Sequence, residues 1–213
     1  MNVDYVELSL RHARVVGVLR ASSPEAALQA SLAAVRGGLK ALELTFTTPG
    51  APEVLGQLSR LGLPVLLGAG TVMNATQGEA ALEAGAQFLV SPHLDEDLLA
   101  LSRASGVPYI PGVLTPGEVQ RALSLGAQIL KIFPIGSSGA AAYLKDLLGP
   151  FPRLRALVTG GVSPAEVPLY LRTGALAVGL GSNLFPGPAL DGGLWGSVEQ
   201  ATRAALGEAR GAG

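Results

Sequence analysis

One unit recurs from end to end of this chain. A glycine closes a helical stretch, a short apolar run follows, and a capping residue opens the next helical stretch. The apolar runs fall at residues 15–20, 41–45, 64–68, 87–91, 109–113, 128–133, 154–158 and 176–180. They are continuous rather than alternating, as parallel strands covered on both faces require. Two units match in detail, GAQFLV at 85–90 against GAQILK at 126–131, which sets Val90 opposite Lys131. The helical stretches between the runs carry start signals. Asn74 with Gln77, Thr115 with Glu118 and Ser163 with Glu166 have the spacing of a capping box, and the last two have proline at the first helical position. Gly37–Gly38, Gly62, Gly85, Gly106, Gly126, Gly149 and Gly174 stop the helices ahead of the strands.

Eight strands alternating with helices in 213 residues predict a (β/α)8 TIM barrel forming one domain over 1–213. A doubly wound open sheet fits less well. It uses fewer strands and a glycine-rich turn after the first, where this chain reads LRASS at 19–23. Residues before Val15 are predicted to form a helix closing the lower end of the barrel, and 192–210 the last helix. The balance of charge excludes other classes. A net charge of −1 provides no basic face for nucleic acid. The N-terminus carries early acids and no signal-like apolar run, and the apolar stretch 173–190 is broken by glycines, prolines and Asn183. A cytoplasmic protein without membrane spans is expected. No cysteine is present, so disulfide and thiol chemistry are excluded.

Barrel enzymes work at the C-terminal ends of their strands. Of the three lysines, Lys40 precedes a strand and Lys145 lies in a helix, whereas Lys131 stands inside the apolar sixth strand, AQILKIFP. An ammonium among apolar neighbours finds a partner or gives up its proton more readily, and a neutral amine attacks carbonyl carbon. Glu43 stands in the apolar second strand, ALELT. Strands two and six face each other, and even-numbered strands share interior layers, so the two side chains can meet. Two readings stand at this point: a plain buried ion pair, or a nucleophile whose protons a carboxylate handles. Arg20 ends the first strand and either faces solvent or grips a carboxylate. Thr159, Gly160 and Gly161 follow the seventh strand, and Gly181 and Ser182 the eighth. Such glycines make tight turns or let backbone N–H groups approach phosphate. His93 is read as a loop residue, and no metal site is expected.

The motifs ELT at 43–45, GAGTV at 68–72, VSP at 90–92, PGV at 111–113, LKIFP at 130–134, TGGV at 159–162 and GLGS at 179–182 together resemble the 2-keto-3-deoxy-6-phosphogluconate aldolases, class I enzymes also described as acting on 4-hydroxy-2-oxoglutarate. The resemblance runs nearly the whole chain in the family's order. It implies a Schiff-base lysine at Lys131 and a proton-transfer glutamate at Glu43. It implies pyruvate-site residues Thr71, Pro92 and Phe133 with Thr159 close by, and phosphate near Gly160, Gly161, Gly181 and Ser182. It further implies a homotrimer, no cofactor, and a 2-keto-3-deoxy sugar acid phosphate as substrate, the galactonate isomer being the alternative to the gluconate. A phosphate-binding barrel isomerase or synthase without an imine is a further reading of the same loops. Many members carry arginine four residues after the glutamate. This chain has Thr47 there, and Arg20 is taken as the replacement contact for carboxylate or phosphate.

Overall fold

The computed structural model describes residues 2–211. Nine parallel strands, β1 (Val15–Leu19), β2 (Ala41–Thr45), β3 (Leu66–Gly70), β4 (Leu89–Val90), β5 (Tyr109–Ile110), β6 (Gly112–Val113), β7 (Leu130–Ile132), β8 (Ala156–Thr159) and β9 (Ala177–Leu180), hydrogen-bond in the order β5-β4-β3-β2-β1-β9-β8-β7-β6. The two ends of that order are the halves of one stave, divided at Pro111, so the sheet closes on itself as the (β/α)8 barrel expected from the sequence. Proline has no N–H to give the ladder, but the Pro111 carbonyl still accepts from the Lys131 N–H at 2.9 Å. The predicted strands lie where expected to within a few residues. The third moves two residues on, which makes Gly70 part of it.

Around the barrel run α2 (Pro24–Arg36), α3 (Ala51–Arg60), α4 (Ala75–Glu83), α5 (Glu96–Ser105), α6 (Pro116–Ser124), α7 (Ala140–Leu148), α8 (Val167–Thr173), α9 (Gly187–Asp191) and α10 (Trp195–Arg210). The predicted last helix starts later, because Gly192 and Gly193 separate α9 from α10. The matched repeat units end alike. Gly85 and Gly126 take φ of 93° and 91°, and in each the next residue donates back across the helix end, Ala86 to Ala81 and Ala127 to Ala122. That is a left-handed helix stop, which glycine adopts at no steric cost. Gly149 is the exception, stopping α7 with φ −56°. The capping boxes of Thr115 and Ser163 form in full. At α4 only half forms: Asn74 caps the Gln77 N–H, while Gln77 accepts from Met73 instead.

The core has two parts. One lies between staves and helices. The other fills the barrel's lower lumen with Val16, Ala41, Leu66, Phe88, Val90, Ile110, Ile129, Leu157 and Ala177. These are alternate residues of their strands, since strand side chains reverse face at each step. The N-terminal helix α1 (Val3–Ala13) closes the floor with Val6, Leu10 and Ala13, as expected. One layer above that apolar fill the same lumen-facing positions carry Val18, Glu43, Gly68 and Lys131. Val18 pairs in register with Glu43, and Glu43 with Gly68. Among the described residues no helix is long and apolar enough to cross a membrane.

Candidate active site

Lys131 enters the lumen from β7 and Glu43 from β2, opposite it. Lysine Nζ and glutamate Oε1 lie 3.9 Å apart, with the side chains 6% and 0% exposed. That separation is too long for a direct hydrogen bond and short enough for both groups to reach one reacting atom. Neither Glu43 oxygen has a hydrogen-bond partner among the described residues. Buried carboxylate oxygens are normally satisfied, and an unsatisfied one points to a functional demand. Glu43 fits only because its neighbour lacks a side chain: a Cβ on Gly70 would sit 1.9 Å from its Oε1. The Phe133 ring lies under the ammonium, 5.0 Å from Nζ to its centroid, and rests against Gly160, where a Cβ would come within 2.8 Å.

Above the pair opens a cleft of about 480 Å³ at the C-terminal end of the barrel, bordered by Arg20, Thr71, Pro92, Lys131, Phe133 and Thr159. Gly160, Gly161, Gly181 and Ser182 form its far wall. The structure thus brings every residue singled out from the sequence to one place, with Glu43 beneath the cleft beside Lys131. It adds Val18, Thr45, Val162, Gly179, Asn183 and Phe185 to the walls. Val18 and Gly179 were legible in principle, because they follow lumen residues Val16 and Ala177 at a spacing of two.

Each polar wall residue has a local reason for its pose. Thr71 leaves β3 with φ 53°, a conformation that costs a β-branched residue roughly 1–3 kcal/mol and that clusters at functional sites. Arg20 Nε donates to Thr47 Oγ1 at 2.9 Å, and Thr47 lies 3.0 Å from Thr45 Oγ1. Among the described residues the two remaining guanidinium nitrogens have no partner, and Arg20 lines the cleft. Pro92 is held from behind. The Tyr109 hydroxyl donates to the His93 carbonyl at 2.9 Å, accepts from the Asp95 N–H and meets Ser91. Burial pushes that phenol up to about 12, so it stays a donor throughout the neutral range. His93 itself faces Asp95 rather than the cleft. Lys40 and Lys145 are exposed and distant from this pair. A larger groove of about 710 Å³ lies at the lower end among Arg11, His12, Arg14 and Arg210, and no acidic residue is among its described lining.

Known proteins resemble this chain in sequence and in fold. The family described as KDPG and KHG aldolase matches residues 6–201. A KHG/KDPG aldolase of Escherichia coli (strain K12) is 34% identical over 192 residues, 90% of each chain. A 2-dehydro-3-deoxy-phosphogluconate aldolase of Pseudomonas aeruginosa is 36% identical over 202 residues, 94% of this chain and 91% of that one. The KDPG aldolase of Legionella pneumophila, solved with pyruvate captured as a covalent carbinolamine, superposes with a TM-score of 0.87 at 31% identity, over 93% of this chain and 97% of that one. A match over most of the chain, carried by the same barrel, makes this protein a member of the KDPG and KHG aldolase family.

Proposed function

We propose that this chain is a class I aldolase that cleaves 2-keto-3-deoxy-6-phosphogluconate to pyruvate and glyceraldehyde 3-phosphate, and 4-hydroxy-2-oxoglutarate to pyruvate and glyoxylate. The observation that carries the reading is the buried pair itself, Lys131 Nζ at 3.9 Å from a Glu43 carboxylate with no other partner. In this reading the Lys131 ammonium passes a proton to the Glu43 carboxylate beside it, and the resulting amine attacks C2 of the substrate to give a carbinolamine. Glu43 delivers a proton to the departing hydroxyl, so water leaves and an iminium forms. The Glu43 carboxylate then takes the C4 hydroxyl proton. The C3–C4 electron pair moves into the iminium, the aldehyde departs, and an enamine remains. Protonation at C3 and hydrolysis release pyruvate and the free lysine.

The walls fit the two ends of such a substrate. Thr71, Pro92, Phe133 and Thr159 surround the position of the keto acid beside Lys131. The glycine loops after β8 and β9 offer backbone N–H groups to the phosphate. Arg20, aimed by Thr47, supplies the remaining charge for a carboxylate or phosphate oxygen. A phosphorylated substrate suits a cytoplasmic enzyme. We include a homotrimer in the proposal, supported by the 15% charged composition and by exposed Leu61, Met73 and Leu169. Sedimentation should give about three times the 21.6 kDa chain mass, and a monomer mass at working concentration would refute it.

Borohydride reduction in the presence of pyruvate tests the chemistry. The expected result is one reduced pyruvate adduct per chain, mapped by mass spectrometry to Lys131, and loss of both adduct and turnover in Lys131→Ala. Turnover persisting in that variant without an adduct would overturn the mechanism.

A further inference from the structure

The two glycine loops come from different staves, and neither strand ladder extends into them. The loop after β8 turns at Gly160 and Gly161 with φ of 91° and 75°. It is held from one side, where the Gly136 N–H donates to the Gly160 carbonyl at 2.8 Å. The loop after β9 makes its own turn, Leu184 and Phe185 donating to the Gly181 carbonyl. Among the described residues one side-chain hydrogen bond joins them: Asn183 Nδ2 donates to the Val162 carbonyl at 2.8 Å. The backbone N–H groups of Gly161, Ser182 and Asn183 have no acceptor among the described residues. An anion accepting from both loops needs their separation fixed before it arrives, because ordering them on binding costs affinity.

We propose that Asn183 is a positioning residue that locks the two loops at the spacing one phosphate group requires, and so sets the preference for phosphorylated over unphosphorylated keto acids. The amide acts through the Val162 carbonyl, whose chain neighbour Gly161 lines the cleft with an N–H unpaired among the described residues. The inference rests on the reading of these loops as the phosphate site. It goes beyond that reading in predicting that a side chain bonded to protein, rather than to substrate, decides the selectivity.

Asn183→Leu keeps the side chain's heavy-atom count and branching and removes the donor, and Asn183→Ser is the second variant should the first fail to fold. KM for the 6-phosphorylated substrate should rise about tenfold, the scale of one lost hydrogen bond at a preorganised site. kcat/KM on 4-hydroxy-2-oxoglutarate should fall by a clearly smaller factor. In the ligand-free variant, amide exchange at residues 160–162 should quicken while the β-strands exchange as before. A direct contact between Asn183 and substrate would raise KM without altering that exchange, and would overturn the positioning role. Equal losses on both substrates, or no change in either, would overturn it too. The underlying phosphate reading is tested separately on the unaltered enzyme. If inorganic phosphate fails to compete with the phosphorylated substrate there, that reading fails whatever the Asn183 variants do.

Discussion

Placing a Cβ on Gly70 would bring it within 1.9 Å of Glu43 Oε1 and 2.5 Å of its carboxyl carbon. The backbone there is ordinary strand, so alanine is conformationally acceptable and the conflict falls on the glutamate. Gly70→Ala should therefore leave a folded barrel with Glu43 pushed out of line with Lys131. The expected loss is about 10²-fold in kcat, the lower end of what a positioned acid–base group contributes, with circular dichroism unchanged. Activity within threefold of wild type would show that Glu43 tolerates displacement and that its position is not critical. This residue also marks the limit of what the sequence could tell. Lys131 and Glu43 stood out because a charge in an apolar strand demands a reason. Gly70 did not, since its role is to be absent beside a side chain two positions out of register on the neighbouring strand. The Thr47 contact to Arg20 was hidden in the same way, because hydroxyl and guanidinium are 27 residues apart and meet only once β1 and β2 pair.

At the scale of elements, the start of α6 is specified by its own residues and the strands are not. Glu118 accepts from the Thr115 and Leu114 N–H groups and from the Thr115 hydroxyl, and these bonds hold its carboxyl below the usual 4.5. A carboxyl whose folded value lies below its unfolded one stabilises the fold above the unfolded value. That contribution fades as pH falls toward the folded value. Glu118→Ala should cost about 0.5–1 kcal/mol at pH 7, the scale of a lost cap at an exposed site, and less at pH 3. Urea unfolding at the two pH values reads this, and an equal cost at both would remove the charge from the explanation. Such local chemistry explains why the capping boxes at Thr115 and Ser163 were legible. Strand limits depend on a neighbour's ladder instead. Residues 64–68 and 66–70 are equally apolar in outline, and pairing with β2 chooses the latter. The split of the fifth stave at Pro111 follows from proline's missing N–H, a signal present in the sequence beside an unbroken apolar run.

Across the whole molecule the barrel is sealed at one end and chemically furnished at the other, with an apolar layer between. Leu10 of α1 is fully buried against the lower lumen, where Val16, Ala41, Leu66 and Leu157 separate it from the layer of Glu43 and Lys131. The repeat made the barrel readable from the sequence and assigned the leftover N-terminal residues to a lid. It could not show how deep the apolar fill reaches, because lumen and shell positions are apolar alike and only the pleat sorts them. The depth matters for how stability and activity are coupled. Truncating Leu10 leaves a cavity in a packed floor and should cost about 2–5 kcal/mol, lowering the melting temperature by several degrees or more. The layer above packs through its own strand neighbours, so the Lys131–Glu43 separation need not change. Leu10→Ala should therefore keep kcat/KM within about twofold of wild type at temperatures well below its lowered melting point, and form the borohydride adduct at the same rate. A kcat that falls together with stability, measured where the variant is still fully folded, would mean that the floor sets the height of the catalytic layer. The lumen would then act as one packed column from α1 to the cleft.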